Sequence, residues 1–195
     1  MDYKKNMEIR RIPSELKLNM EIIDKQITKK ERNDERLVVR GIAFKDNKLL
    51  VVFPKDEKIY GTPGGGVDPG ENLEDALKRE LKEEVGADDI RIIEYIGTMS
   101  SLRKGMYDDN TYTPFHHYFL VEILKFGKQN LVEYEQEIGL NFDFIDIDEV
   151  IKTNEESLLK RNQEYLDFYS NQQIIIKELK NIYKNKTSIW CFILF

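Results

Sequence analysis

Short apolar runs separated by turn residues recur along most of the chain and predict β-strands. The clearest are Leu37–Phe44 and Leu49–Phe53, which the turn Lys45–Lys48 joins into a predicted hairpin. Weaker patterns at Met7–Ile12 and Met20–Ile23 are typical of short strands, or of an arm that packs on the domain or on a second subunit. Further strands are predicted at Ile90–Met99, His116–Leu124 and Leu140–Ile147.

Helical spacing of apolar residues predicts a helix over Asn72–Val85, and Gly86 follows where a C-terminal cap belongs. A long C-terminal helix is predicted over Glu155–Tyr183 and a short one at Asp148–Ile151. The segment Ser100–Pro114 has the pattern of a long polar loop. Strands, a helix, more strands and a terminal helix indicate the α/β or α+β class, with helices packed on a mixed sheet. The apolar positions of the first helix are Leu73, Ala76, Leu77, Leu81 and Val85.

Composition and charge narrow the function classes. A net charge of −6 over 195 residues, without a cluster of basic residues, argues against a nucleic-acid binder. The lone cysteine, Cys191, excludes an internal disulfide and a cysteine zinc cluster. Adjacent His116 and His117 point to opposite faces of a strand and make a poor metal site. No secretory signal is recognised, and the apolar end Ser188–Phe195 is too short to span a bilayer, so we expect a cytoplasmic protein that does not contact membranes.

Three glutamates share one edge of the predicted helix. Glu80, Glu83 and Glu84 fall within an arc of about 100° beside the apolar face. Like charges at this spacing repel each other, so a hard cation such as Mg²⁺, Mn²⁺ or Ca²⁺ would stabilise them. The preceding loop, Pro63–Gly66, lets the backbone approach a ligand closely. Glycines, helix and carboxylates at this spacing indicate a metal-assisted phosphate site.

The same stretch resembles the Nudix signature. That signature is a glycine, five residues, a glutamate, seven residues and then R-E-U-x-E-E-x-G-U, where U is a bulky aliphatic residue. Gly65, Glu71 and the run Arg79–Gly86 match it, and only Ala87 departs, being smaller than the usual side chain. The resemblance covers roughly residues 36–153. It implies a mixed sheet sandwiched between helices, with the box at residues 65–87 forming a loop–helix–loop.

The resemblance also implies residue roles. The carbonyl of Gly64 and the carboxylates of Glu80, Glu83 and Glu84 would hold one to three Mg²⁺ or Mn²⁺ ions. Glu71 and Arg79 would brace the loop and orient those carboxylates. The implied reaction is hydrolysis of a diphosphate linkage in a nucleotide, a sugar nucleotide or a dinucleoside polyphosphate. A carboxylate would accept the proton of the attacking water. The candidates are Glu80 and a glutamate of the late segment that holds Glu133, Glu135 and Glu137, among which Glu137 lies nearest the next strand.

Substrate recognition is less constrained by the sequence. Tyrosines at 60, 107 and 112 are candidates to stack on a nucleobase, and Arg103 or Lys104 to bind a phosphate.

Other functions of the same fold are disfavoured. An isopentenyl diphosphate isomerase of this fold would need a catalytic cysteine in its core, and Cys191 lies far from the box. A non-enzymatic nucleotide sensor usually has a degraded box, whereas this chain keeps the box glutamates, which favours an enzyme. RNA-end processing would need an extended basic surface, and the acidic charge balance of the chain disfavours it.

Three regions are expected along the chain. Residues 1–35 form an N-terminal arm, 36–153 the hydrolase domain, and 154–195 a C-terminal helix with an apolar tail. An exposed apolar tail would promote aggregation, so we expect its own domain or a second subunit to cover it. A homodimer is the favoured arrangement, with a monomer as the alternative.

Overall fold

Two β-sheets build the fold of the computed structural model, which describes residues 7–25, 27, 34–104, 111–160 and 166–183. The five-stranded sheet has the order β1-β2-β6-β7-β3 and the three-stranded sheet the order β4-β5-β8. The pairs β2–β6 and β3–β7 are parallel and the other pairs antiparallel, which confirms the mixed sheet. The strands are β1 (Met7–Arg11), β2 (Leu18–Asp24), β3 (Asp34–Ile42), β4 (Phe44–Lys45), β5 (Lys48–Pro54), β6 (Ala87–Lys104), β7 (Thr111–Phe126) and β8 (Leu140–Asp146).

The chain changes sheets at Ala43, between β3 and β4. β3 lies beside β7, and only the two residues of β4 pair with the start of β5. The predicted turn is confirmed, with Asp46 and Asn47 at φ 49° and 62°, as a tight hairpin requires. The prediction that Leu37–Ile42 pairs with Leu49–Phe53 was wrong, because these residues of β3 pair with β7 instead. An apolar run shows that a strand is buried but does not specify its partner.

The helices pack against the sheets and form two separate hydrophobic cores. The helices are α1 (Leu73–Val85), α2 (Glu133–Glu137), α3 (Ile147–Lys160) and α4 (Leu166–Tyr183). Leu49 and Val51 of β5 face a core shared with α4, whereas Leu50 and Val52 face a core shared with α1. β5 is therefore buried on both faces, which explains its continuous apolar sequence.

The C-terminal part differs from its prediction. Residues 155–183 are not one helix, because Glu155–Lys160 ends α3 and α4 packs against α3. The side-chain amide of Gln173 donates to the Ile151 carbonyl at 2.9 Å, and Lys177 pairs with Glu155. The short helix at Asp148–Ile151 is the beginning of α3.

The predicted strands near the N-terminus are confirmed as β1 and β2, which extend the sheet beyond β6. The predicted loop Ser100–Pro114 is shorter, since β6 continues to Lys104 and β7 begins at Thr111. Cys191 and the apolar tail lie outside the described residues. Among the helices of the described ranges, none is long and apolar enough to cross a membrane.

Candidate active site

Helix α1 carries the acidic residues of the box, and both of its ends are capped. The Asn72 side chain accepts a hydrogen bond from the Asp75 amide at 2.9 Å, and Gly86 has the left-handed conformation at φ 66°. The apolar face, with Leu77 and Leu81 fully buried, fixes the helix on the sheet. The glutamates of its last two turns therefore project along the edge of the core.

The glycine loop meets these glutamates at close range. The Gly64 amide donates to Glu84 Oε2 at 2.6 Å. Gly64 has φ +128°, and a Cβ there would lie 2.2 Å from the Val39 carbonyl oxygen. At Gly65, a Cβ would lie 2.4 Å from Glu80 Oε2. The loop thus needs a positive φ at the first position and free space at the second.

Arg79 ties the loop to the helix through hydrogen bonds to both. Its guanidinium donates to both oxygens of Glu71, at 3.0 and 2.9 Å, and to the Gly66 carbonyl at 2.8 Å. It also donates to Glu80 at 2.7 Å and reaches Glu83 at 3.4 Å. The hydrogen bond from Arg79 lowers the pKa of Glu71, and the bond to Glu71 raises the pKa of Arg79.

Burial makes two of the box carboxylates unusually easy to protonate. Glu80 and Glu84 are each 8% exposed. Desolvation raises the pKa of Glu84 to about 8, against the opposing effects of Arg40 and the Gly64 amide. Desolvation also raises the pKa of Glu80, although Arg79 opposes it. A nearby cation would favour the charged forms of both.

The carboxylates supply suitable donors but do not converge as they stand. In the described part of the chain, no three acidic, histidine or cysteine side chains are placed to share one ion. Arg79 holds Glu80 and Glu83, and Arg40 donates to the Gly64 carbonyl. The all-oxygen donor set fits Mg²⁺ or Mn²⁺. Side-chain rotation away from Arg79 would be needed to bring the donors together.

The structure separates Glu135 from Glu137, the residue that the sequence favoured as the proton acceptor. Glu137 ends α2 and is exposed. Glu135 is half-buried, and desolvation raises its pKa, with a smaller contribution from the charge of Glu83. The charge of Glu135 in turn adds to the raised pKa of Glu84, which is mainly due to desolvation. The Gln129 side chain bonds to the Glu84 carbonyl at 2.6 Å, which ties this segment to the end of α1. The Glu135 carboxylate accepts a hydrogen bond from the Val132 amide at 3.0 Å, at the start of α2.

The proposed substrate residues separate into two places. Arg103 and Tyr112 line one cavity beside the glycine loop. Tyr60 instead packs edge-on against Phe53 at 5.3 Å between ring centroids, and its amide bonds to Asn154. Tyr107 lies outside the described residues, as does the side chain of Lys104.

We call this cavity the arginine pocket. It has a volume of about 200 Å³. Two of its arginines, Arg36 and Arg40, were missed by the sequence reasoning. The signal was an arginine inside the apolar run of β3, where a buried cation needs a reason. The lining residues are Arg36, Val38, Arg40, Gly65, Gly66, Arg103, Tyr112, Pro114, His116 and Phe168.

Comparison with known proteins places these features in a family. A family model of the NUDIX domain matches residues 34–169. The nucleoside triphosphatase NudI of Escherichia fergusonii is 34% identical over 120 residues, which cover 57% of this chain and 79% of that protein. The ADP-ribose pyrophosphatase of Methanocaldococcus jannaschii is 45% identical over 53 residues, 26% of this chain and 31% of that protein.

A solved NUDIX hydrolase from Nitrosomonas europaea superposes with a TM-score of 0.49 at 19% identity, over 75% of this chain and 90% of that one. The match to the archaeal pyrophosphatase spans only about a third of its length. The family model, in contrast, matches well over half of this chain. The chain therefore belongs to the NUDIX family.

Proposed function

We propose that the protein hydrolyses a diphosphate linkage in a nucleotide-like substrate with the help of Mg²⁺ or Mn²⁺. The observation that carries this proposal is the meeting of Glu80 and Glu84 with the glycine loop, at the distances given above. Buried carboxylates with raised pKa values are typical of functional sites. The names of the two relatives, a pyrophosphatase and a nucleoside triphosphatase, support the same reaction class.

Glu80, Glu83, Glu84 and the Gly64 carbonyl would hold the cation. When bound, a divalent cation neutralises charge on a diphosphate and makes water a stronger nucleophile. A carboxylate can accept the Gly64 amide with one oxygen and offer the other to an ion, so the Glu84 contact is compatible with binding. Arg79 would keep the loop and helix in register through Glu71 and the Gly66 carbonyl.

Glu135 replaces Glu137 as the proposed proton acceptor on the late segment, with Glu80 as the alternative. Its half-buried position and its electrostatic coupling to Glu83 and Glu84 support this role. The exposed Glu137 serves as its matched control. We expect Glu135→Gln to lower kcat with little change in KM, and Glu137→Gln to leave both unchanged. Equal effects of the two substitutions would remove Glu135 from this role.

The decisive test is Glu84→Gln, which keeps the size of the side chain and removes its charge. We expect turnover to fall by orders of magnitude and Mn²⁺ binding to weaken, because a ligand and its charge are lost. Turnover is read as phosphate release through a coupled phosphatase over a panel of nucleotides with Mg²⁺ and Mn²⁺. Glu74→Gln, an exposed glutamate in the first turn of α1, is the control. Near-wild-type turnover of Glu84→Gln would rule out the metal assignment.

A nucleotide sensor without hydrolysis is the second candidate. It is favoured by Arg79 and Arg40, which occupy the oxygen atoms that an ion would need. If the protein binds Mn²⁺ but hydrolyses no nucleotide of the panel, the sensor is the better description. The homodimer and the cytoplasmic location also remain proposals of the sequence.

A further inference from the structure

The arginine pocket is small and positively charged. Its volume of about 200 Å³ is below the roughly 300 Å³ at which pockets begin to enclose drug-sized ligands. Arg36, Arg40 and Arg103 all line it. Among the described lining residues there is no acidic side chain. A compact anion suits both the size and the charge of this space.

Arginines already cover the aromatic rings of the pocket. The guanidinium carbon of Arg103 lies 4.9 Å from the ring centroid of Tyr112, and that of Arg40 lies 5.3 Å from the centroid of Phe168. Each ring thus has one face occupied by a cation–π contact. A nucleobase could therefore stack only on the opposite face of Tyr112.

Among the described residues, Arg40 is a buried cation that forms no salt bridge with a carboxylate, although its charge opposes the raised pKa values of Glu84 and Glu80. It is 7% exposed, and its Nη1 donates to the carbonyls of Thr62 and Gly64. Its Nε is buried, and in the described residues it has no hydrogen-bond partner. A buried charge with an unused donor is costly unless a ligand completes it. Burial lowers the pKa of the neighbouring His116 well below its usual value. His116 is therefore neutral near neutral pH, and the positive charge of the pocket comes from its arginines.

Arg36 lies over the glycine loop from the solvent side. A Cβ on Gly66 would fall 2.3 Å from its Nη2, so this guanidinium sits directly above the backbone of the box. On the adjacent residue, Gly65, the backbone meets Glu80. The pocket and the box carboxylates therefore share the backbone of Gly65, which lines the one and meets Glu80 of the other.

We propose that the arginine pocket binds a phosphate group joined to the scissile diphosphate, so that the protein selects nucleoside triphosphates or longer polyphosphates over conjugates that end in a neutral sugar. This inference rests on the proposed function. Arg36 and Arg40 present several donors in the planar geometry that a phosphate accepts. Arg103 is the cross-strand neighbour of Tyr112 and lines the pocket beside it.

The pocket is tested first without hydrolysis. The Nε–Hε resonances of Arg36 and Arg40 are assigned with Arg36→Lys and Arg40→Lys and then followed by NMR in metal-free protein. We expect inorganic phosphate to shift both resonances saturably and adenosine to shift neither. The resonance of Arg91, an arginine outside the pocket that pairs with Glu122, is the internal control. Shifts with adenosine alone, shifts of equal size at Arg91, or no shifts would each overturn the proposal.

Selectivity is tested with two nucleotides that share adenosine diphosphate, ATP and ADP-ribose. We expect wild-type kcat/KM to favour ATP, and Arg36→Gln to reduce that preference by about tenfold, mainly through KM, as for loss of a hydrogen bond to a charged group. Arg36→Lys should keep part of the preference. Equal losses on both nucleotides would overturn the proposal, because the pocket would then bind the scissile diphosphate itself.

The two tests separate the pocket from the reaction. Phosphate-dependent shifts without hydrolysis of any nucleotide would defeat the proposed function, and the substrate assignment with it. Hydrolysis that depends on Glu84, in a protein whose arginine resonances ignore phosphate, would defeat the pocket assignment alone.

Discussion

Adjacent glycines in the loop before α1 meet different obstacles. At Gly64, both the positive φ and the nearby Val39 carbonyl oppose any side chain, and both belong to the backbone. At Gly65 the obstacle is the flexible end of Glu80. The first glycine is therefore required by the fold, whereas the second provides room for a carboxylate.

This difference predicts opposite outcomes for two alanine substitutions. Gly65→Ala should push the Glu80 carboxylate aside and lower turnover by about 10–100-fold, the range for disturbed support of a metal site, with little loss of thermal stability. Gly64→Ala should lower the free energy of unfolding by more than the roughly 1–2 kcal/mol of left-handed strain alone, because the backbone must also move. Urea unfolding and the coupled phosphatase assay measure the two effects. Equal stability losses in both variants would contradict the assignment.

Site residues that belong to one local motif were predicted from the sequence, and those that reach the site through tertiary contacts were not. Glu71, Arg79 and the box glutamates lie at fixed spacing in one segment, and the structure joins Glu71 to Arg79 as expected. Arg36 and Arg40 reach the site through the parallel pairing of β3 with β7, a contact between distant parts of the chain. Glu135 and Glu137 differ only in the direction they face within a short helix, which sequence proximity does not resolve.

At the scale of elements, the segments with strong local signals were predicted best. α1 begins and ends within a residue of its predicted bounds, because Asn72 and Gly86 provide capping signals at both ends. The partner of β3 and the division of the last helical segment into α3 and α4 depend on tertiary packing. Periodicity reports which face of an element is buried and leaves open what buries it.

The attachment of β2 to the sheet depends on one residue of β6. Gly97 has φ +142° and pairs with Leu18, and a Cβ on it would lie 1.7 Å from the Leu18 carbonyl oxygen. Leu18, Met20 and Ile22 of β2 contribute to the core shared with α4. A separation at Gly97 would therefore expose apolar surface along the whole strand.

We expect Gly97→Ala to release β1 and β2 from β6. Amide exchange over Leu18–Ile23 should accelerate strongly, and the melting temperature should fall. Gly70→Ala is the control, because Gly70 also has a positive φ, at +84°, but open space around it. That variant should lose only about 1–2 kcal/mol from left-handed strain. Unchanged exchange in β2 of Gly97→Ala would show that the strand is held by other contacts.

At the scale of the whole molecule, β5 separates the two cores. Its Leu49 and Val51 lie on the α4 side, and its Leu50 and Val52 on the α1 side. Helix α1 and the C-terminal helices thus belong to different layers of one fold. Phe168 of α4 nevertheless lines the arginine pocket with β3 and the glycine loop. The C-terminal layer therefore contributes to the arginine pocket as well as to the core.

The apolar end of the chain is the basis for the proposed homodimer. Six of the seven residues from Ile189 to Phe195 are large aliphatic or aromatic residues, and the seventh is Cys191. Full burial of such side chains contributes about 1.5–3 kcal/mol each, so a partner surface that covered even a few of them would stabilise a dimer. We expect the full chain to sediment as a homodimer at micromolar concentration and a chain lacking residues 188–195 to sediment as a monomer. A full chain of monomer mass would end the dimer proposal, because the tail would then be covered by its own domain.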